Sequence, residues 1–501
     1  MNPLYDTLVR RHAGAETPLL FLPDGGVITY AAFLRRAAAL AHALAGLGLC
    51  PGDRVAVQVD KSPDALALYA ACMQGGFVIL PLNTAYTADE VDYFVADAQV
   101  ALLVATPDRG AELAQVAGRH GAQLQTLGDD GSGTLADLAE GAPASYPTEA
   151  RGEDDLAAIL YTSGTTGRSK GAMQSQRNLL SNALALAAEW RFTAADVLLH
   201  ALPVFHTHGL FVATNVTLAT GGAMILLPRF DADEVFRLLP QATAMMGVPT
   251  FYTRMVADPR LSRAACAHMR LFISGSAPLL AETHRAFHAA TGQMILERYG
   301  MTETNMITSN PYAGERRPGT VGFALPGVEV RVSDDTGAEL PRGRTGMIEV
   351  RGPNVFPGYW RMPEKTAAEM RPDGFFVTGD LGVMDGEGRL TIVGRQKDLI
   401  IAGGLNIYPV EVEEALDALP GVLESAVIGV PHPDLGEGVL AVVVPRPGAA
   451  PAPEALLEEL SGRLARFKLP RRIVLAEGLP RNAMGKVQKA ALRQTYAGAF
   501  A

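Results

Sequence analysis

The residues from Tyr161 to Gly171 read Tyr-Thr-Ser-Gly-Thr-Thr-Gly-Arg-Ser-Lys-Gly, which sets the hydroxyls of Thr162, Ser163, Thr165 and Thr166 among Gly164 and Gly167, ahead of Lys170. Glycines let backbone N–H groups turn toward a ligand, hydroxyls add donors and the ammonium adds charge, a combination that suits a polyphosphate. The spacing is not that of a Walker A loop, because Lys170 follows Gly167 by three residues. By itself the segment fits a flexible Gly/Ser/Thr loop equally well. A second constellation, Glu297-Arg298-Tyr299-Gly300-Met301-Thr302-Glu303-Thr304, offers a flat aromatic for stacking, a glycine for backbone approach, a hydroxyl, and a carboxylate suited to a hard cation such as Mg²⁺. Other segments are weaker taken singly. Ser274-Gly275-Ser276-Ala277-Pro278 is a strand–turn–helix corner, Thr378-Gly379-Asp380 an Asp turn, Gly394-Arg395-Gln396-Lys397-Asp398 a charged surface turn, and Lys486 a solvated tail lysine. His206 and His208 lack a third ligand at metal-like spacing, which argues against zinc. Gly436-x-Gly438-x-x-Ala441 mimics a dinucleotide fingerprint but leads into an apolar run rather than a helix.

Together these segments resemble, in order and over nearly the whole chain, the adenylate-forming superfamily of acyl- and aryl-CoA synthetases, peptide-synthetase adenylation domains and luciferases. The resemblance implies an ATP site made of the 162–167 loop with Lys170, of Gly275, Ser276, Ala277 and Pro278 along the adenine, and of Glu297, Tyr299, Gly300 and Met301, with Tyr299 stacking on the base. It implies Thr302 at the α-phosphate, Mg²⁺ on Glu303 and Thr166, Asp380 on the ribose hydroxyls and Arg395 nearby. Lys397 becomes the hinge of a mobile C-terminal domain. Lys486, in Pro480-Arg481-Asn482-Ala483-Met484-Gly485-Lys486, becomes the lysine of the first half-reaction. Gly403 and Gly404, with Lys468 and Arg471, fall where CoA approaches, and His206 beside the acyl pocket together with Ser274. The chain departs from many relatives at Gln176, where they carry histidine.

Arg298 precedes the motif tyrosine, where many relatives for fatty or aryl acids have a small or uncharged residue, and Arg254 lies in a second pocket-lining segment. Singly, each arginine fits a structural ion pair, for Arg298 with Glu297. Converging on one apolar pocket, the two point to a second carboxylate on the substrate, since arginine takes carboxylates bidentately. The segments Glu-Arg-Tyr-Gly-Met-Thr-Glu-Thr-Asn and Val-Pro-Thr-Phe-Tyr-x-Arg are similar to those of malonyl-CoA synthetases. The implied activity is ATP-dependent ligation of malonate to CoA, with methylmalonate tolerated and AMP and pyrophosphate as products. Resemblance to acetylation-controlled relatives adds a lysine acetyltransferase and deacetylase acting on Lys486. The rival readings are a synthetase for a monocarboxylic acid, an adenylation domain feeding a carrier protein, and a non-catalytic nucleotide-binding protein of the same fold.

These residues need a scaffold. From Ile28 onward, capped Ala/Leu-rich helices alternate with short apolar strands (54–59, 77–80, 101–105, 224–227, 244–248, 271–273), predicting a doubly wound, mostly parallel α/β sheet. A looser connector spans 128–155, and a helix is expected from Asn178. Near Gly322 the texture turns to short strands and turns, giving a β-rich subdomain over about 322–394. The expected division is an AMP-binding domain of 1–394 and a smaller mobile α/β domain of 395–501. At 501 residues one core does not suffice. The hydrophobic fraction of 48% is that of a globular protein, and a net charge of -10 disfavours nucleic acid. Three widely spaced cysteines favour a reduced, cytoplasmic setting, and the apolar stretch 65–82 is too interrupted to span a membrane.

Overall fold

The computed structural model describes residues 1–162, 169–403, 405–482 and 485–500. The alternation of strand and helix becomes a mixed α/β architecture with a large N-terminal part and a smaller C-terminal part. In the large part, a six-stranded and a nine-stranded sheet enclose a shared core. Tyr30–Gly46, Pro63–Gly75 and Gln176–Glu189 are helices of that shared layer. Pro63–Gly75 is buried along nearly its whole length, which its uniformly apolar sequence requires; Ser62 caps it and Gly76, at φ +70°, ends it. Thr29 caps Tyr30–Gly46, and Thr87 with Glu90 forms a capping box on Ala88–Ala98. Separate apolar clusters fill the outer faces of both sheets, so each sheet is covered on both sides.

Strands Arg54–Gln58, Val78–Pro81, Leu102–Ala105 and Leu156–Thr162 are parallel neighbours in the six-stranded sheet. Val197–His200, Ala223–Leu226, Ala244–Gly247, Leu271–Ser274 and Leu296–Met301 run parallel in the nine-stranded one. The β-rich subdomain is an antiparallel meander of Glu329–Ser333, Thr345–Arg351, Phe376–Met384 and Leu390–Arg395. The smaller C-terminal part is a five-stranded sheet around the long Val422–His432/Gly436–Pro445 pair, with helices Pro409–Asp417, Pro453–Ser461 and Lys489–Thr495. Among the described residues no helix is long and apolar enough to cross a membrane.

Four local readings change. Lys170–Ser175 is a strand antiparallel to Leu156–Thr162, so Lys170 opens a strand rather than sitting in the loop. The following helix begins at Gln176, two residues early, because Ser175 caps it and Asn178 returns the bond. The connector contains a helix, Thr134–Ala139. Thr378-Gly379-Asp380 is not an end turn but a bulge inside the nine-residue strand Phe376–Met384. Gln176 also gains a physical role: its buried amide oxygen accepts the Leu4 N–H at 3.1 Å, tying the N-terminal helix Pro3–Leu8 to Gln176–Glu189.

Candidate active site

Two parallel strands end level with Glu297, near the start of a third. Ala244–Gly247 pairs with Leu271–Ser274, which pairs with Leu296–Met301. Ligands of open α/β sheets sit at such carboxyl ends. Alternation along Leu296–Met301 sends neighbouring side chains to opposite faces. Glu297, expected at the nucleotide, turns its carboxylate instead onto His284 Nδ1 (3.1 Å) and the Gly319 N–H (3.2 Å). Arg298 therefore has no ion pair with Glu297. It is buried, 4% exposed, and its Nε and Nη2 have no hydrogen-bond partner among the described residues. Those two nitrogens form one edge of the guanidinium, the fork that grips a carboxylate. Burial pulls the Arg298 pKa down to about 9, so the group stays charged at neutral pH.

The surroundings are built for that guanidinium. It lies so close over Gly275 that a Cβ there would fall 2.3 Å from Arg298 Cζ. Ser274 Oγ and His208 Nε2 are also buried without partners among the described residues. Ser276, held at φ +73°, places its Oγ 3.2 Å from His208 Nδ1. Donation from the Ser276 hydroxyl to Nδ1 leaves the His208 proton on Nε2. Both histidines are neutral: His206 is lowered to about 4 by burial, then by Arg298 and Lys486, and His208 is lowered well below its usual value by burial and Arg298. A π-helix, His208–Thr214, carries this wall, and its second residue is Gly209 because a Cβ would meet the Pro203 carbonyl oxygen at 1.9 Å. Arg254 does not join Arg298. Tyr252 and Met255 take the buried face of the helix Pro249–Ala257, and Arg254 stays exposed, 5.9 Å from the Phe230 ring. The expected convergence of two arginines thus reduces to one.

The side expected to face the nucleotide is equally ordered. The Tyr299 hydroxyl donates to Asp380 Oδ2 (2.6 Å), and Arg395 Nε pairs with Asp380 Oδ1 (2.9 Å). The bulge aims Asp380: Thr378 Oγ1 donates to the Ile348 carbonyl (2.8 Å) and accepts the Asp380 N–H (3.0 Å). Gly300 is required by the hairpin itself, since a Cβ would meet the Asn305 carbonyl oxygen at 2.1 Å. Met301, with Asn305 opposite, closes that hairpin, which presents Thr302 and Glu303. Gln174 fixes it by donating to the Thr302 carbonyl (2.7 Å) and accepting from Asn305 (2.8 Å). Glu303 is buried, its pKa raised by that burial, with Tyr359 Oη 3.0 Å away. A buried carboxylate in this condition fits a divalent cation, which takes one or two carboxylates beside phosphate oxygens. Ala277 and Pro278 continue the turn to the helix Ala281–Thr291. Thr162 pairs with Lys170. Ser163, Gly164, Thr165, Thr166, Gly167 and Gly404 lie outside the described residues.

From the C-terminal part comes Lys486. Gly485 approaches Thr250 closely, and burial, followed by the Arg395 charge, pulls Lys486 down to about 8. Lys486, Asp380, Arg395 and His206 therefore share one electrostatic neighbourhood. Lys397 lies in the short turn Gln396–Asp398. Among the described residues, Gly403, Lys468 and Arg471 form no hydrogen bond or ion pair with that neighbourhood. Gly403 N–H bonds to the Leu435 carbonyl, Lys468 pairs with Glu411, and exposed Arg471 bonds through its N–H to Val439.

Lys486, Asp380 and the hairpin that carries Thr302 and Glu303 converge from two parts of the chain. The chain matches AMP-binding enzyme sequences over residues 9–360 and the AMP-binding enzyme C-terminal domain over residues 411–486, and it belongs to that family, the adenylate-forming acid–thiol ligases. Among solved structures, ATP-bound MatB from Rhodopseudomonas palustris is 56% identical with a TM-score of 0.98 over 100% of both chains; apo MatB, 57% identical over the same coverage, scores 0.87. A feruloyl-CoA synthase from an Amycolatopsis species is 37% identical over 477 residues, 94% of each chain. A malonate–CoA ligase from Arabidopsis thaliana is 34% identical over 483 residues, covering 90% of this chain and 79% of the relative.

Proposed function

We propose that the chain joins malonate to coenzyme A at the expense of ATP, forming malonyl-CoA, AMP and pyrophosphate through a malonyl-adenylate, with methylmalonate tolerated. The observation that carries the acid is the buried Arg298 guanidinium with its unpartnered Nε/Nη2 edge. A buried charge without a partner is costly unless a ligand supplies one, and the distal carboxylate of a short diacid does so. Ser274 Oγ and His208 Nε2 are further donors for it. A monocarboxylate leaves the guanidinium unanswered, and a bulky aryl acid meets charge where it needs apolar contact.

The near carboxylate attacks the α-phosphorus of ATP, pyrophosphate leaves, and the CoA thiol then displaces AMP from the acyl carbon. Negative charge grows on the phosphorus oxygens in the first step, where Lys486 and Thr302 supply electrostatic stabilisation. Tyr299 and Asp380 hold the nucleoside, and neutral His206 lines the acyl side without competing for a proton. Glu303 and Thr166 would hold Mg²⁺, which supplies charge neutralisation of the polyphosphate. Rotation about Lys397 would bring Gly403, Gly404, Lys468 and Arg471 to the thiol's path for the second step. Acetylation of Lys486 would remove its charge and stop the first step, so a lysine acetyltransferase and deacetylase are proposed regulators. The widely spaced cysteines support a cytoplasmic setting.

The test is a panel of short diacids, monocarboxylates and aryl acids scored for CoA-dependent AMP formation. Malonate should lead with methylmalonate next. A monocarboxylate or ferulate leading would replace this reading with a general acyl- or aryl-CoA synthetase.

A further inference from the structure

Tyr359 and Glu369 carry no signal in the sequence, yet they join Lys170 to Glu303. Lys170, at the start of the strand Lys170–Ser175, places Nζ 4.1 Å from the centre of the Tyr359 ring. It donates to Tyr359 Oη (3.1 Å) and to Glu369 Oε1 (3.5 Å). The Tyr359 hydroxyl lies 2.7 Å from Glu369 Oε2 and 3.0 Å from Glu303 Oε1. One hydroxyl proton serves one acceptor at a time, and the shorter contact gives it to Glu369. Lys365 closes the set with a 2.7 Å bond to Glu369 Oε1.

The backbone makes this arrangement rigid. Tyr359 bridges to Ala172, Trp360 N–H bonds to the Gly171 carbonyl (2.7 Å), and Met173 N–H bonds to the Gly358 carbonyl (3.1 Å). The Tyr359 segment is thereby zipped to the strand that carries Lys170. The Tyr359 N–H bonds to Thr366 Oγ1 (2.9 Å), which ties it to the helix Pro363–Glu369. Phe356 packs edge-on against the Tyr359 ring at 4.8 Å.

We infer that Glu369, acting with the Tyr359 hydroxyl, is a positioning residue for ATP: it fixes the Lys170 ammonium and, through that hydroxyl, orients the neighbouring Glu303 carboxylate. The inference rests on the ATP-dependent reading above. A free lysine side chain loses much rotamer freedom when it grips a phosphate. Here the Tyr359 ring and the bonds to Tyr359 and Glu369 hold the ammonium in place, which is preorganisation in the usual sense.

The experiment measures ATP affinity of the full chain by equilibrium titration at fixed Mg²⁺, and then titrates Mg²⁺ at fixed ATP. Glu369→Gln removes the charge with little change in shape, and Tyr359→Phe keeps the packed ring and deletes the hydroxyl. Each variant should bind ATP about tenfold more weakly, as expected for losing a hydrogen bond to a charged group. Each should also need more Mg²⁺, while the malonate KM and thioester formation from supplied malonyl-AMP stay unchanged. Unchanged ATP affinity in both variants, with wild-type turnover intact, overturns this inference alone. Tighter ATP binding in Glu369→Gln would make Glu369 a competitor for Lys170 and overturn it too. Equal losses in the malonate and thioester readouts would reduce both residues to general structural supports. A wild-type chain that binds no ATP would overturn the ligase reading itself.

Discussion

At the residue scale the proposed acid site turns on one guanidinium and the glycine beneath it. Arg298→Gly should lower kcat/KM for malonate by about 30-fold to several thousand-fold, matching the roughly 2–5 kcal/mol cost of unpairing a buried charge. ATP affinity should be unaffected, and propionate should gain relative to malonate. Gly275→Ala should act in the same direction, because the new Cβ would displace the Arg298 guanidinium; a malonate KM equal to wild type would show that the pocket yields instead. Lys486 gives a pH signature. Its pKa in the folded protein is depressed to about 8, so its charge is full below that pH and lost as pH rises through it, where an ordinary lysine keeps its proton to about 10.4. The kcat/KM of the adenylation half-reaction should therefore fall above about pH 8, and Lys486→Arg should remove that alkaline limb from whatever activity remains. Arg298 could be singled out in the sequence as a candidate because it abuts a contiguous motif. Arg254 misled because the sequence does not say which face of its helix is buried. Tyr359 and Glu369 were illegible because they meet Lys170 across nearly two hundred residues of intervening chain.

At the element scale the bulge at Thr378-Gly379-Asp380 is the precise aiming device, and its geometry depends on one hydroxyl. Thr378→Val deletes the bonds to Ile348 and to the Asp380 N–H, each worth about 1 kcal/mol. The ATP KM should rise while the malonate KM holds, and a crystal structure should show Asp380 turned from Tyr299. The hinge prediction is also local. Lys397→Pro fixes φ and should leave adenylation intact while CoA transfer collapses; loss of adenylation alone would move the hinge away from Lys397. The alternation of strand and helix was readable because period and capping residues are local signals, as at Thr29 and Thr87. The strand Lys170–Ser175 was not, since Lys-Gly-Ala-Met-Gln-Ser alternates weakly and only its partner Leu156–Thr162 defines it. The same holds for the bulge, which exists only relative to the strand opposite.

At the scale of the whole molecule, the C-terminal part brings Lys486 near Arg395 and Asp380 of the large part, and the chain is nearer to the ATP-bound relative than to the apo one. Arg446 Nη2, at the foot of the C-terminal sheet, lies 2.6 Å from both carboxylate oxygens of Glu282 on the large part. Both groups are partly exposed, so the pair contributes at most about 1 kcal/mol. Glu282→Ala should accordingly slow adenylation by less than about fivefold and leave thioester formation from supplied adenylate undiminished.

The unanswered charge of Arg298 also reaches beyond catalysis. Without substrate, the fold carries a desolvated guanidinium that weakens it, and malonate should raise the melting temperature of the wild-type chain by mass action. Arg298→Met, similar in volume and uncharged, should melt higher than wild type with no ligand present, and should gain nothing when malonate is added. Heat resistance and recognition of the diacid thus pull this position in opposite directions. A population of variants selected for thermal endurance alone would drift away from its acid.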